Sequence, residues 1–284
     1  MAKNRNELIS DIVISLGGVP SGLTRNELLA EWLEAAGASP WTPADITTEL
    51  WLDASDTSTI TESLGLVSEW RDKSGSGNDA SQAVAASQPV YGTRTQNGLN
   101  VVDFQNDWMF APLDYSRTTL PNVSIFAVFK NDSTSNSAAL FGNDNGGYDR
   151  FVLMNFNSAP NIQWGIGTGS TVYPLNPFRT VDTNPHILRL QVQNGVNNGS
   201  QVALDGVATS SYTETNNGTM LTSLGIGSID DTGNYSLDGA IAEIMFIGEN
   251  VTDDTAKRAE GYLAHKWGLE SLLPVGHPYK TSPP

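Results

Sequence analysis

Cysteine is absent from the 284 residues, so the chain has no disulfide framework, no zinc-thiolate site and no cysteine nucleophile. Positive charge is scarce. Fifteen Lys and Arg stand against 31 Asp and Glu, for a formal net charge of −16. Phosphate binding needs clustered cations, and an anionic lipid surface repels a body of this sign, so we expect neither nucleic-acid binding nor membrane insertion. No apolar run approaches the ~20 residues of a membrane span. His186, His265 and His277 lack the spacing of a helical zinc motif. The stretch 9–16 follows Lys3 and Arg5, but Asp11 and two serines interrupt it, so we read a mature helix and not a secretion signal. What the chain does have is Gly (27 residues) with much Asn, Ser and Thr, and only 16% charged residues. That composition points to many short strands joined by turns.

The N-terminus differs. Arg5-Asn6-Glu7-Leu8 returns as Arg25-Asn26-Glu27-Leu28. Leu8, Ile9, Ile12, Val13 and Leu16 align with Leu28, Leu29, Trp32, Leu33 and Ala36, one apolar helical stripe in each copy. Asn4 with Glu7, and Thr24 with Glu27, have capping-box spacing, and Gly17-Gly18 and Gly37 suit the C-caps. The spacing predicts a helical hairpin over 1–38, a linker over 39–48 holding Pro40 and Pro43, and a β domain over 49–284. Helices of ~12 residues are marginal alone. The stripe led by Leu8, Ile12, Leu28 and Trp32 must therefore meet either the β domain or a partner, and we expect docking or homo-oligomerisation.

Strand patterns fill the body. Val123 to Lys130 is apolar on both faces and reads as a central strand. Leu188, Leu190 and Val192 alternate with polar residues. Asp205-Gly206 marks a hairpin within 201–209. A helix starts at Thr252, with Asp253 and Asp254 in its first turn, His265 and Lys266 in its last, and Gly268 beyond. An antiparallel sandwich is the expected fold.

Several motifs occur in a suggestive order: 50–56 (LWLDASD), 70–80 (WRDKSGSGNDA), 88–91 (QPVY), 98–104 (GLNVVDF), 238–244 (DGAIAEI) and 260–269 (EGYLAHKWGL). Over about 48–280 the chain resembles laminin-G-like jelly rolls of the concanavalin A-like superfamily. The resemblance implies an antiparallel concanavalin A-like jelly-roll sandwich, with the small N-terminal helical hairpin and one C-terminal helix. Such domains occur in bacterial surface proteins and tailed-phage virion proteins. The resemblance implies a phage virion structural protein, most simply a capsid decoration protein made in a bacterial host cytoplasm and displayed on the virion surface. Its partners would be other capsid or tail proteins, held through the N-terminal helices. A tail-associated receptor-binding protein or a bacterial surface lectin is the alternative. A polysaccharide-cleaving enzyme is the remaining one.

Glycosidases of this superfamily carry Glu, Asp and Glu on one strand face as E-x-D-x-x-E, and that motif is missing. Glu243 stands alone in its strand, where alternation groups it with Ile241, Met245 and Ile247. The resemblance makes it a structural, hydrogen-bonded carboxylate. We therefore expect no catalytic residues and no enzyme. Sugar binding would use aromatic faces beside Asp, Asn and Gly, and the candidates are Trp108, Tyr148, Trp164 and Tyr173. Trp51, Trp70 and Trp267 lie in the framework motifs and read as packing. No cofactor is required. Structural calcium is the one ion with candidate ligands, at Asp144, Asp149, Asp230 and Asp231 in two Gly- and Asn-rich loops. The same carboxylates also suit turn capping.

Overall fold

Strand β8 (Asn122–Asn131) is apolar on both faces, and the structure puts it in the middle of a sheet. The computed structural model describes residues 40–134, 137–147, 149–156, 163–167, 172–174, 182–214 and 220–284. The N-terminal repeat with Leu8, Ile12, Leu28 and Trp32 lies outside the described residues, as does Tyr148. β8 pairs antiparallel with β13 (Pro185–Gln193) on one side and β17 (Leu237–Ile247) on the other. Beyond β13 follow β14 (Ser200–Leu204) and β15 (Val207–Tyr212). Their two-residue turn has Asp205 and Gly206 at φ 54° and 74°, the left-handed pair a tight hairpin requires. The far flank of β17 pairs first with β6 (Leu99–Asp107), then with β1 (Leu50–Asp53), and β5 (Val90–Gln96) lies outside β6.

A second layer contains β2 (Ile60–Ser63), β3 (Leu66–Trp70), β4 (Ala80–Ser81), β7 (Met109–Ala111), β16 (Leu224–Ile226), β9 (Ala138–Gly142), β10 (Phe151–Phe156), β11 (Gln163–Gly167) and β12 (Val172–Pro174), paired in that order. The pair Leu66 and Val90 joins the layers. Phe104, Phe129, Leu190, Ile241 and Phe246 from the first layer share one core with Trp70, Met109, Phe141 and Ile226 from the second. The fold is mainly β and antiparallel, a curled sheet forming a sandwich, with one helix.

That helix is α1 (Asp253–Trp267). Thr252 caps it by accepting from the Thr255 amide, and Gly268 ends it at φ 69°. Its Ala256, Ala259, Leu263 and Trp267 pack on the outer side of the first layer, against Phe126, Val128, Met245 and Ile247.

A β-bulge in β17 explains the fate of Glu243. The register shifts between Ile241 and Glu243. Ile241 therefore joins the main core, while Met245 and Ile247 belong to the helix-facing cluster. The single-face grouping expected from strict alternation is thus corrected. Glu243 is fully buried, and donors surround it. Its Oε1 accepts from Trp51 Nε1 at 2.7 Å and Tyr262 hydroxyl at 3.1 Å. Its Oε2 accepts from Lys266 Nζ and Trp267 Nε1, both at 2.8 Å. Lys266 also reaches Asp53 at 2.7 Å, and Asp53 pairs with Lys73 at 2.9 Å. This network ties β1, β17 and α1 together.

Two carboxyls of the network make stability acid-sensitive. Burial pushes Asp53 up, but the charge and hydrogen bond of Lys266, with Ser55 and Lys73, outweigh it and hold the carboxyl below its usual value. The Ser58 hydroxyl and Lys73 bring Asp56 down to about 2. Both folded values lie below the unfolded ones, so their stabilisation is present above about pH 4 and is lost as pH falls from there towards 2. Urea midpoints measured from pH 5 down to 2 should fall, and Asp53→Asn should flatten that fall. A slope unchanged in Asp53→Asn would remove Asp53 as its source.

Candidate functional site

Alternation in β7 sends Met109 and Ala111 into the core and leaves Phe110 outside, 39% exposed. Trp108, in the link between β6 and β7, is half-buried. The loop 227–236 crosses this face at Ile229 and Asp230, against Gly142 and Gly225. A Cβ on Gly225 would run into the Asp230 backbone carbonyl, so the segment touches the sheet where β16 has no side chain. Gly233, at φ 85°, is the seat of Trp108: a Cβ there would stand 2.5 Å from the indole. Tyr235, at φ 54°, is 54% exposed on the same segment. Trp108 thus rests on this loop, Tyr235 is exposed on the loop itself, and Phe110 leaves the sheet opposite Gly225, over which the loop passes.

Asp230 holds that loop rigid. Its Oδ1 accepts from Thr232 N and Thr232 Oγ1, both at 2.9 Å, and from Asn234 N at 3.1 Å; its Oδ2 accepts from Asn234 Nδ2. Burial opposes its ionisation, but these hydrogen bonds outweigh it and hold the carboxyl below its usual value. Asp231 accepts from Ser223 hydroxyl at 2.9 Å. The neighbouring loop comes in through Asp144, whose amide donates to the Ile229 carbonyl at 2.8 Å and whose Oδ1 accepts from Asp149 N. Asp149 is buried against Arg117 at 3.2 Å; burial raises its pKa, with the Asn145 amide and Arg117 drawing it back.

The structure therefore brings Trp108, Asp144, Asp149, Asp230 and Asp231 to one rim. Trp164 and Tyr173 sit in β11 and β12, towards the far edge of the same layer. Among the described residues no three acidic or histidine side chains are grouped to hold a metal ion. The oxygens of Asp230 are engaged by its own turn.

Sequence reasoning missed Phe110 and Tyr235. The alternation of Met109-Phe110-Ala111 carried a signal for the first, but Tyr235 lies in a turn without periodicity. It also missed the clamp beneath the rim. Arg150 forms a forked pair with Glu214, at 2.8 and 2.9 Å, and donates to the carbonyls of Tyr115, Leu120 and Pro121. Tyr115 hydroxyl returns a bond to the Arg150 carbonyl at 2.5 Å. All of these side chains are buried. They anchor the loops behind a surface that offers aromatic faces beside hydroxyl, amide and carboxylate groups.

Solved structures share this fold. One is domain 4 of a GH43 extracellular arabinanase from Geobacillus stearothermophilus, in complex with arabinotriose: 13% identity, TM-score 0.51, covering 72% of this chain and 94% of that one. Another is Trypanosoma rangeli sialidase in complex with sialic acid: 14% identity, TM-score 0.52, covering 92% of this chain but 39% of the sialidase. No family model matches, and no curated protein matches. The expectation that the chain is not an enzyme is corrected, because solved structures that share its fold include a domain of a glycoside hydrolase and part of a sialidase. At these identities the likeness shows the fold, and it supports the sandwich part of the resemblance, without its laminin-G or virion part.

Proposed function

We propose that the chain is a carbohydrate-active protein whose sandwich holds a glycan across Trp108, Phe110 and Tyr235. The observation that carries this reading is the pair of exposed aromatics Phe110 and Tyr235, with half-buried Trp108 seated on the loop that Asp230 holds. Flat aromatic faces cover the apolar face of a sugar ring, and nearby hydroxyl and carboxylate groups take its hydroxyls. A rigid platform loses little entropy on binding. The arabinotriose complex of the arabinanase domain lends support at the level of fold. Display of this module on a virion surface, through residues 1–38, extends the reading and rests on the sequence resemblance and the N-terminal repeat.

A glycan array followed by titration calorimetry tests the proposal. Trp108→Ala should weaken binding of the selected glycan by about ten-fold or more, as expected for a central aromatic anchor. Phe110→Ala should act in the same direction with an unchanged melt. Binding that ignores both substitutions would overturn the site.

A further inference from the structure

We infer that the protein has a second binding site, apart from the aromatic surface: a cleft on the outer side of the first layer that takes a small neutral ring compound carrying a carbonyl or hydroxyl acceptor. This site goes beyond the glycan reading and does not depend on it.

Neighbouring strands build the cleft. Pro185 in β13 pairs with Lys130 in β8, Lys130 with Ala240 in β17, and Ala240 with Asp103 in β6. Val101, Val128, Ala240 and Ala242 belong to the cluster on the helix side of this layer and form the apolar floor. Further along β17, Met245 and Ile247 meet the side chains of α1. The helix stops at the border of the cleft: Glu243 accepts from Trp267 in its last turn, and Gln96 of β5, on the rim, donates to the Trp267 carbonyl at 2.9 Å. Beyond that point the strand carries two alanines, whose small side chains leave the floor low. The cleft measures about 180 Å³.

Volume and chemistry together define the ligand. An apolar cavity of ~150 Å³ takes benzene, so this one has room for a six-membered ring with a substituent. Water suits the floor poorly, because it needs roughly two to four polar partners. The charged groups stand at the rim, on Arg94 and Lys130. Arg94 forms a fork with Asp132, at 2.5 and 2.7 Å, and reaches Asp103 at 2.6 Å. Lys130 reaches Asp132 at 2.6 Å. Two cations thus face two carboxylates, and the rim gives an anion no surplus of positive charge. The chain as a whole, at −16, repels one. Donors remain. An ammonium carries three N–H groups and a guanidinium five, more than these bonds use. The rim therefore suits a neutral acceptor oxygen, and the floor an apolar ring.

The test is a methyl-resolved NMR titration of the full chain with benzamide, benzene and benzoate. Benzamide should shift the methyl signals of Val101, Val128, Ala240 and Ala242. It should bind about ten-fold tighter than benzene, the gain from one hydrogen bond to a charged donor, and tighter than benzoate. Ala240→Leu fills the space; it should melt at or above the parent and lose benzamide. Lys130→Met, at a half-buried rim position, keeps the packing and should narrow the gap between benzamide and benzene several-fold. If Ala240→Leu does not fold, the methyl shifts and Lys130→Met decide alone. No shift of the four residues by any probe, or an Ala240→Leu variant that binds as the parent does, would overturn the site. Benzoate preferred over benzamide, or a gap unmoved by Lys130→Met, would overturn the assigned ligand class. The glycan surface on the other layer stands or falls separately, on Trp108 and Phe110.

Discussion

Glu243→Gln should lower the melting temperature by about 6–12 °C although it hardly changes side-chain volume. Every polar contact of Glu243 is a donor: two indole N–H groups, a tyrosine hydroxyl and a lysine ammonium. An amide turns one acceptor oxygen into an NH2 group and sets donor against donor. It also leaves the Lys266 ammonium with Asp53 as its remaining carboxylate. Breaking a buried charged network by changing one partner costs ~3–5 kcal/mol, and a shape-preserving change sits at the lower end. For a domain of this size each kcal/mol moves the midpoint by roughly 2–4 °C. Because the network fastens α1 to β1 and β17, tryptophan fluorescence should report Trp51 and Trp267 along with the global melt. A variant melting within a degree of the parent would show that the donors find water or each other at no cost, and the network would lose its place as the fastening of the helix.

Arg150→Met should destabilise by about 3–5 kcal/mol, read as a fall in the urea midpoint. Burial here is near complete for both partners, with side-chain exposures of 4% and 1%. All five guanidinium N–H groups are used, two on Glu214 and three on backbone carbonyls. Removing them leaves those carbonyls bare and Glu214 beside Arg117 alone, at 3.4 Å. Arg150→Lys should recover only part of the loss, since an ammonium cannot form the fork. Removing the carboxylate as well, with Glu214→Leu, should restore some stability, because no uncompensated charge remains. A double variant less stable than Arg150→Met would contradict this account. The clamp lies behind the rim, so Arg150→Met should also loosen loop 143–150 in hydrogen exchange before the central strands open.

Local patterns were legible in the sequence. The two-sided apolar run around Phe126 declared a central strand, because only burial on both faces makes that composition favourable. Asp205-Gly206 declared its hairpin, because few residue pairs accept two left-handed backbones in succession. Thr252 and Gly268 marked the ends of α1 through the chemistry of capping. Trp108, Asp230 and Asp231 were named as candidates, although nothing local showed that they would meet. The hairpin expected over 1–38 concerns residues outside those described, and its docking role stays a proposal.

The chain alone determined the strand and helix segments, the turns, the acidic surface and the packing role of Trp51, Trp70 and Trp267. Each of these follows from neighbours within a few residues, where side-chain period and turn geometry act directly. Tertiary structure decided the rest. The bulge that turns Glu243 to the helix arises where β17 must pair with β6 and β1 on one side and β8 on the other. The donors of that carboxylate come from as far as 192 residues away. The seating of Trp108 on Gly233, and of Arg150 on Glu214 across 64 positions, likewise depends on which distant strands lie side by side. Such pairings are set by the burial of a shared core, and the charge and aromatic chemistry of the rim follows from them.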